Sequence, residues 1–162
     1  MSSPALDLEA RAGGDEHLSL RLWLRLLSCT NLIESRARAR LRDEFATTLA
    51  RFDLMAQLAR TPEGLKMSEL SRRMMVTGGN VTRLTDQLEA EGMVARANSA
   101  DRRVFQVSLT ARGRHAFAAM ARRHEDWIVE MFGALSHEER SHLYSLLAKL
   151  KHAQNVFAEG GA

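Results

Sequence analysis

The run Thr77-Gly78-Gly79-Asn80-Val81-Thr82-Arg83 sets two glycines, two hydroxyls, one amide and one guanidinium within seven positions. At the start of a helix such a run is slim and polar, the shape that enters the major groove of duplex DNA. Gly78 and Gly79 remove side chains where a backbone would approach, and open N–H groups at a helix start can meet a phosphate. Asn80 can read adenine, and Arg83 can read guanine or hold a phosphate. Thr77 and Thr82 can do either. Further along, Asp101-Arg102-Arg103 places two guanidiniums in a turn-forming stretch. An arginine at a hairpin tip suits a narrow minor groove, where the negative potential is enhanced. Asp101 cannot hold a phosphate and reads as the partner that orients an arginine. Arg72 and Arg73, just before the glycines, are placed to meet the DNA backbone.

These residues need elements to hold them. Residues 1–15 are small, polar and glycine-containing and read as a mobile tail. From His17 to Leu41 apolar residues recur at helical spacing (Leu22, Trp23, Leu26, Leu27, Thr30, Ile33, Ala37, Leu41), predicting a long amphipathic helix. Phe52, Met55, Leu58 and Ala59 mark a second helix, stopped by Thr61-Pro62-Glu63-Gly64. Ser68 is placed to cap a short third helix. Thr77 is placed to cap a fourth, with Val81, Leu84 and Leu88 as its apolar stripe and Gly92 at its left-handed end. Met93–Ala97 and Val104–Leu109 read as two strands of a hairpin. Thr110 caps a long helix, and Ser136 with Glu139 forms a capping box that opens the last one. Two short helices followed by a hairpin make a winged helix-turn-helix, a mainly α fold with a small β-hairpin wing.

Composition excludes several alternatives. The chain has 162 residues, 45% hydrophobic and 27% charged, with a formal net charge of +3. That is ordinary globular composition with a mild basic bias, which permits a nucleic-acid partner without requiring one. One cysteine, Cys29, cannot build a disulfide framework, and a reducing, cytoplasmic setting is expected. No apolar run is long enough to span a membrane. His137 and His142 flank Glu138-Glu139-Arg140-Ser141 at i,i+5, where imidazoles diverge around a helix, so zinc catalysis is not expected. No phosphate-binding loop, nucleophile elbow or dinucleotide fingerprint is present, so no enzyme, cofactor or metal is expected. A pure protein–protein module would leave the TGGN helix start and the arginine-bearing wing without a purpose.

The segments FDLMAQLAR, MSELSRRMMVTGGNVTRLTDQLEAEGMV and DRRVFQVSLTARGR, with long capped helices on either side, resemble the multiple-antibiotic-resistance regulator (MarR) family. The resemblance runs from about residue 18 to 157. It implies a homodimer built on long N- and C-terminal dimerisation helices, binding a palindromic double-stranded DNA operator, often as a repressor. It divides the chain into the tail, a dimerisation helix over 16–44, a DNA-binding lobe over 45–110 and dimerisation helices over 111–162. Carried over residue by residue, it assigns recognition to Thr77, Gly78, Gly79, Asn80, Thr82 and Arg83, and wing contact to Arg102 and Arg103 with Asp101 as orienter.

The run ESRARARLRDEFATTLARFDLMAQLAR, followed by MMVTGGNVT, is similar to regulators of aromatic-acid catabolism, which implies release by an aromatic acid or its coenzyme A thioester. Arg36 and Arg40 share one helix face and Arg38 and Arg42 another, so either pair can hold a carboxylate or phosphates. The same arginines can instead form a solvated face, with Glu34–Arg38 and Arg40–Glu44 as ion pairs, or touch the DNA backbone. An apolar pocket can draw on Trp23, Leu26, Thr30, Phe52, Met55 and Phe117, residue types that equally make plain core. The alternative sensor is Cys29. Oxidant sensing needs positive charge or a helix N-terminus beside the thiol. Its mid-helix position favours a buried structural thiol.

Overall fold

The computed structural model describes residues 17–74, 77–98 and 105–159. The predicted tail, and the wing residues Asp101, Arg102 and Arg103, lie outside the described residues. Apolar spacing and local caps divide the described chain into six helices and three strands, in the order α1 (Leu18–Phe45), α2 (Leu49–Ala59), β1 (Leu65–Lys66), α3 (Met67–Met74), α4 (Gly78–Ala90), β2 (Val94–Asn98), β3 (Phe105–Leu109), α5 (Ala111–Met131) and α6 (His137–Glu159). The fold is mainly helical with one small antiparallel sheet. It forms two compact units, the first ending at Glu125 and the second beginning at Asp126.

In the first unit, α1 ends where Ala46 turns left-handed at φ 50°, its N–H returning to the Arg42 carbonyl at 3.0 Å. Thr48 then caps α2, its hydroxyl accepting from the Arg51 N–H at 3.2 Å. Ser68 does not cap α3: the helix begins one residue earlier, at Met67, directly from β1, so Ser68 lies within its first turn. β1 has no counterpart in the sequence reading, because a two-residue strand shows no alternation. It pairs with β3, Leu65 opposite Val107, and β3 pairs with β2, Val94 opposite Leu109, giving the order β1-β3-β2.

The sheet buries Val94, Val107 and Leu109, and the helices bury Leu54, Met55, Leu58, Leu70, Val81, Leu84 and Leu88. Each such side chain contributes roughly 1.5–3 kcal/mol relative to leaving it in water. Phe105 shares the strand period of Val107 and Leu109 but is 57% exposed, because it lies at the far end of the hairpin from that core. Gly92 follows α4 at φ +71°, the left-handed conformation expected there. Thr110 ties the next junction: its hydroxyl donates to the Gly92 carbonyl at 2.7 Å and accepts from the Gly113 N–H at 3.0 Å.

In the second unit, the Ser136 N–H donates to Glu139 Oε2 at 2.7 Å and the Glu139 N–H donates to Ser136 Oγ at 3.2 Å, the reciprocal box that opens α6. Ile128, Val129, Phe132, Leu143, Tyr144 and Leu147, with Arg140, line an apolar groove of about 370 Å³. No described helix is long and apolar enough to cross a membrane.

Candidate nucleic-acid interface

α3 and α4 form the helix pair, with β2 and β3 following at once. Four residues at i, i+3, i+4 and i+7 (Val81, Leu84, Thr85, Leu88) hold α4 against the core. Thr85 satisfies its buried hydroxyl by donating to the Val81 carbonyl at 2.8 Å. That anchoring turns Thr82 and Arg83 outward, both exposed, with Asn80 half-buried beside them. Arg83 Nη2 donates to Asn80 Oδ1 at 3.1 Å, so the two residues named for base reading form one unit across a turn. Thr82 instead donates to the Gly78 carbonyl at 3.0 Å.

Thr77 occupies the N-cap position with an extended backbone (φ −65°, ψ 147°), but its side chain makes no capping bond. Its carbonyl accepts from the Asn80 and Val81 N–H groups, and the hydroxyl contributes nothing to the helix. Gly78 and Gly79 are exposed, and a Cβ at either would meet nothing within 4 Å. Among the described residues, their lack of side chains therefore serves no packing.

Arg72 and Arg73, at the end of α3, both bond Glu69, Arg73 Nε at 2.8 Å, and Arg73 Nη1 also reaches the Thr61 hydroxyl at 3.2 Å. The bond from Arg73 holds Glu69 below the usual carboxylate range. A phosphate recruiting these arginines would compete with Glu69. The sequence reading missed three residues here: Arg96 of β2 bonds Asp86 and Glu89 of α4. Only the i,i+3 spacing of the two acids was visible. The arginine that joins them lies across a turn whose geometry no periodicity states.

The effector residues named from sequence do not converge on one cavity. Phe52 and Met55 are buried on the inner face of α2, and Phe117 packs on Phe52 with ring centroids 5.4 Å apart. Trp23 is 57% exposed, Thr30 is exposed and Leu26 half-buried, all on the N-terminal part of α1. A cavity of about 490 Å³ opens instead between the C-terminal half of α1 and the start of α2, lined by Glu34, Arg38, Arg42, Thr47, Thr48, Leu49, Ala50 and Asp53. Arg38 and Arg42 share its wall, Arg38 lying 3.7 Å from Glu34 and Arg42 3.2 Å from Asp43. Arg36 is exposed and Arg40 half-buried outside that lining. Glu44 bonds Arg123 of α5, Nε at 3.0 Å.

Cys29 is exposed, which corrects the expectation of a buried thiol. The same part of α1 keeps Leu22, Trp23 and Leu27 at the surface as well. No group of three or more histidine, cysteine or carboxylate side chains suited to a metal ion occurs among the described residues.

His124 of α5 packs on Phe52 with ring centroids 4.7 Å apart. Burial pushes its imidazole below the usual 6.5, a shift that the nearby Asp53 carboxylate opposes. Asp53 is itself raised by desolvation, with Glu34 adding to the rise and His124 opposing it. A lowered histidine pKa means that the unfolded chain takes up the proton first as pH falls. The histidine's contribution to stability is thus present above 6.5 and lost as pH drops through 6.5 toward the folded value. Asp53 has the opposite sign, its contribution fading as pH rises through its elevated folded value. Thermal melts from pH 7.5 to 5.5 are expected to show a falling midpoint in the native protein and a flatter profile in His124→Gln. An equal slope in both would exclude His124 as the source.

The sequence model of the MarR family matches residues 47–104, the stretch from α2 through the wing. An uncharacterised HTH-type transcriptional regulator of Bacillus cereus is 31% identical over 142 residues, covering 86% of this chain and 94% of that protein. A MarR family transcriptional regulator from Silicibacter pomeroyi superposes with a TM-score of 0.74 at 33% identity, covering 88% of this chain and 99% of the other. The apo form of wild-type MarR from Escherichia coli, at 24% identity, shares the fold with a TM-score of 0.70, covering 78% of this chain and 94% of its own.

Proposed function

This chain belongs to the MarR family of DNA-binding transcriptional regulators, which bind DNA as dimers and are not enzymes, and from that premise we propose that two copies of it bind a palindromic operator and repress the adjoining gene. The observation that carries the reading is the division of α4 into a buried apolar face and an exposed face bearing Thr82 and Arg83, with Asn80 at its edge. In the dimer the two α4 helices sit about one DNA turn apart, roughly 34–36 Å. Arg102 and Arg103 reach the flanking minor grooves, with Asp101 orienting them, and Arg72, Arg73 and Thr77 meet phosphates. Residues 16–44 and 111–162 supply the dimer contacts and residues 45–110 the DNA-binding lobe. Exposed Leu18, Leu20, Leu22, Trp23 and Leu27 on α1, and Tyr144, Leu146, Leu147 and Leu150 on α6, support that assignment, since apolar surface of this extent seeks a partner.

An aromatic acid or its coenzyme A thioester is the effector that releases the operator. The cavity beside α1 supports this: its volume is of small-molecule size, and two guanidiniums on its wall match a carboxylate or phosphates. The test is fluorescence anisotropy on the DNA upstream of the protein's own gene beside a scrambled duplex, with benzoate, a hydroxycinnamate and their thioesters added. Selective binding and release by one compound class are expected. A tenfold to hundredfold release corresponds to about 1.4–2.8 kcal/mol of coupling. Arg38→Gln with Arg42→Gln is expected to leave operator affinity near the native value and blunt release; lost DNA binding would assign those arginines to the duplex.

One observation favours a second reading, redox sensing through Cys29, because that thiol is exposed. Under it, peroxide releases the operator and Cys29→Ser abolishes the response.

A further inference from the structure

Arg96 ties the wing hairpin to the helix that carries Asn80 and Arg83. Arg96, in the middle of β2, donates through Nη2 to Asp86 Oδ1 at 2.5 Å and through Nη1 to Glu89 Oε2, while its backbone N–H donates to Glu89 Oε1 at 3.3 Å. Asp86 and Glu89 stand at i,i+3 on α4, so one guanidinium spans both. Its side chain is only 24% exposed, while the carboxylates are more open, at 58% for Asp86 and 38% for Glu89. The base of the hairpin is held separately, by the Gly92 turn and the Thr110 hydroxyl. Past Arg96 the hairpin is open: Ala97 and Phe105 are exposed. β3 is held along its other edge by β1, Leu65 opposite Val107 and Lys66 opposite Gln106, whereas β2 is an edge strand of the sheet, with no strand beyond it among the described residues. On that open edge Arg96 supplies the tie between β2, the strand that leads to the wing, and the helix that carries Asn80 and Arg83.

We propose that Arg96, through Asp86 and Glu89, is a positioning residue for operator binding, holding the β2–β3 hairpin at a fixed angle to α4 so that both meet one duplex together. Arg96 touches its own chain rather than DNA. It spends its donors on α4 carboxylates and is half-buried, whereas a phosphate ligand needs an open guanidinium. The bonds join two separate elements, β2 and α4, and α4 is the one that bears the exposed polar face with Thr82 and Arg83. A fixed angle removes an ordering cost that a free hairpin would meet on binding.

Electrostatics and positioning predict opposite signs for the same variant. Asp86→Asn with Glu89→Gln removes two negative charges from α4 and, by charge alone, strengthens attachment to any polyanion. Positioning requires the reverse on the selected site. The experiment uses the full-length protein and a duplex that it selects from a randomised pool, beside a scrambled duplex of equal length. In anisotropy titrations D86N/E89Q is expected to lose about tenfold or more on the selected duplex, the scale of a charge-assisted hydrogen bond. On the scrambled duplex the same variant holds or gains. R96Q loses on the selected duplex by a similar factor. R96K keeps the charge without the fork and falls nearer R96Q than the native protein. Circular dichroism and melting show whether each variant is folded at the titration temperature, and D86N/E89Q, whose side chains are the more open, guards against a misfolded R96Q. Native or tighter binding of the selected duplex by folded D86N/E89Q overturns the proposal while leaving the DNA-binding reading intact. A native protein that selects no duplex overturns both.

Discussion

Gly113→Ala is expected to lower the stability of the protein by about 3 kcal/mol, at the upper end of ordinary overpacking costs. A Cβ at this position would lie 1.9 Å from the Met93 carbonyl oxygen and 2.8 Å from its carbon. Nothing flexible is in the way; the obstacle is backbone. That backbone is itself held, because the Met93 oxygen accepts from the Thr110 N–H at 3.0 Å and the neighbouring Gly92 carbonyl accepts from the Thr110 hydroxyl. Relief requires the first turn of α5 to move away from the end of α4, breaking the contacts that join helix, turn and hairpin. For a chain of this length the loss corresponds to a melting point lowered by roughly 6–12 °C. Gly78→Ala is the control. It meets nothing within 4 Å, and alanine is the better helix former by about 1 kcal/mol, so its melting point is expected to hold or rise. Two superimposable melts for native protein and Gly113→Ala would mean that the close approach at Met93 does not exist in solution.

Asn80→Ala with Arg83→Ala is expected to weaken operator binding by about 10- to 100-fold, from the roughly 1–3 kcal/mol that one good base contact supplies. The two side chains are bonded at 3.1 Å across a turn of α4, so each holds the other in place before DNA arrives. Arg83 is exposed and Asn80 only half-buried, so the melting point should scarcely change. That separates a loss of recognition from a loss of fold. Anisotropy over a salt series distinguishes what Arg83 does. If it holds a phosphate, the single variant Arg83→Ala reduces the salt slope by about one and weakens all sequences alike. If it reads a base, the slope stays and discrimination collapses at one operator position. Unchanged affinity in the double variant would remove α4 from the recognition surface.

Much of this protein could be read from local chemistry. Thr110, Gly92 and the Ser136–Glu139 box ended or opened helices where the sequence places them, because a cap is satisfied within about four residues and needs no distant partner. The stripe Val81, Leu84, Leu88 named the inner face of α4 and, by exclusion, the outer face with Thr82 and Arg83. The order of helix, helix and hairpin followed, and with it the family. What the sequence could not state was how the faces meet. β1 exists because β3 offers it an edge, and two residues carry no period of their own. Phe52 and Met55 went to the core, while Arg38 and Arg42 came to face the start of α2. Cys29 stands exposed, beside Leu22, Trp23 and Leu27 on a length of α1 that periodicity alone marks as apolar. Arg96 found Asp86 and Glu89 across the Gly92 turn, a match set by the direction in which the chain leaves α4. Periodicity and capping are properties of neighbours along the chain, so the sequence alone determined them. Which polar side chain meets which, and which apolar face is left without cover, depends on the placement of whole elements, and only the tertiary structure decided that.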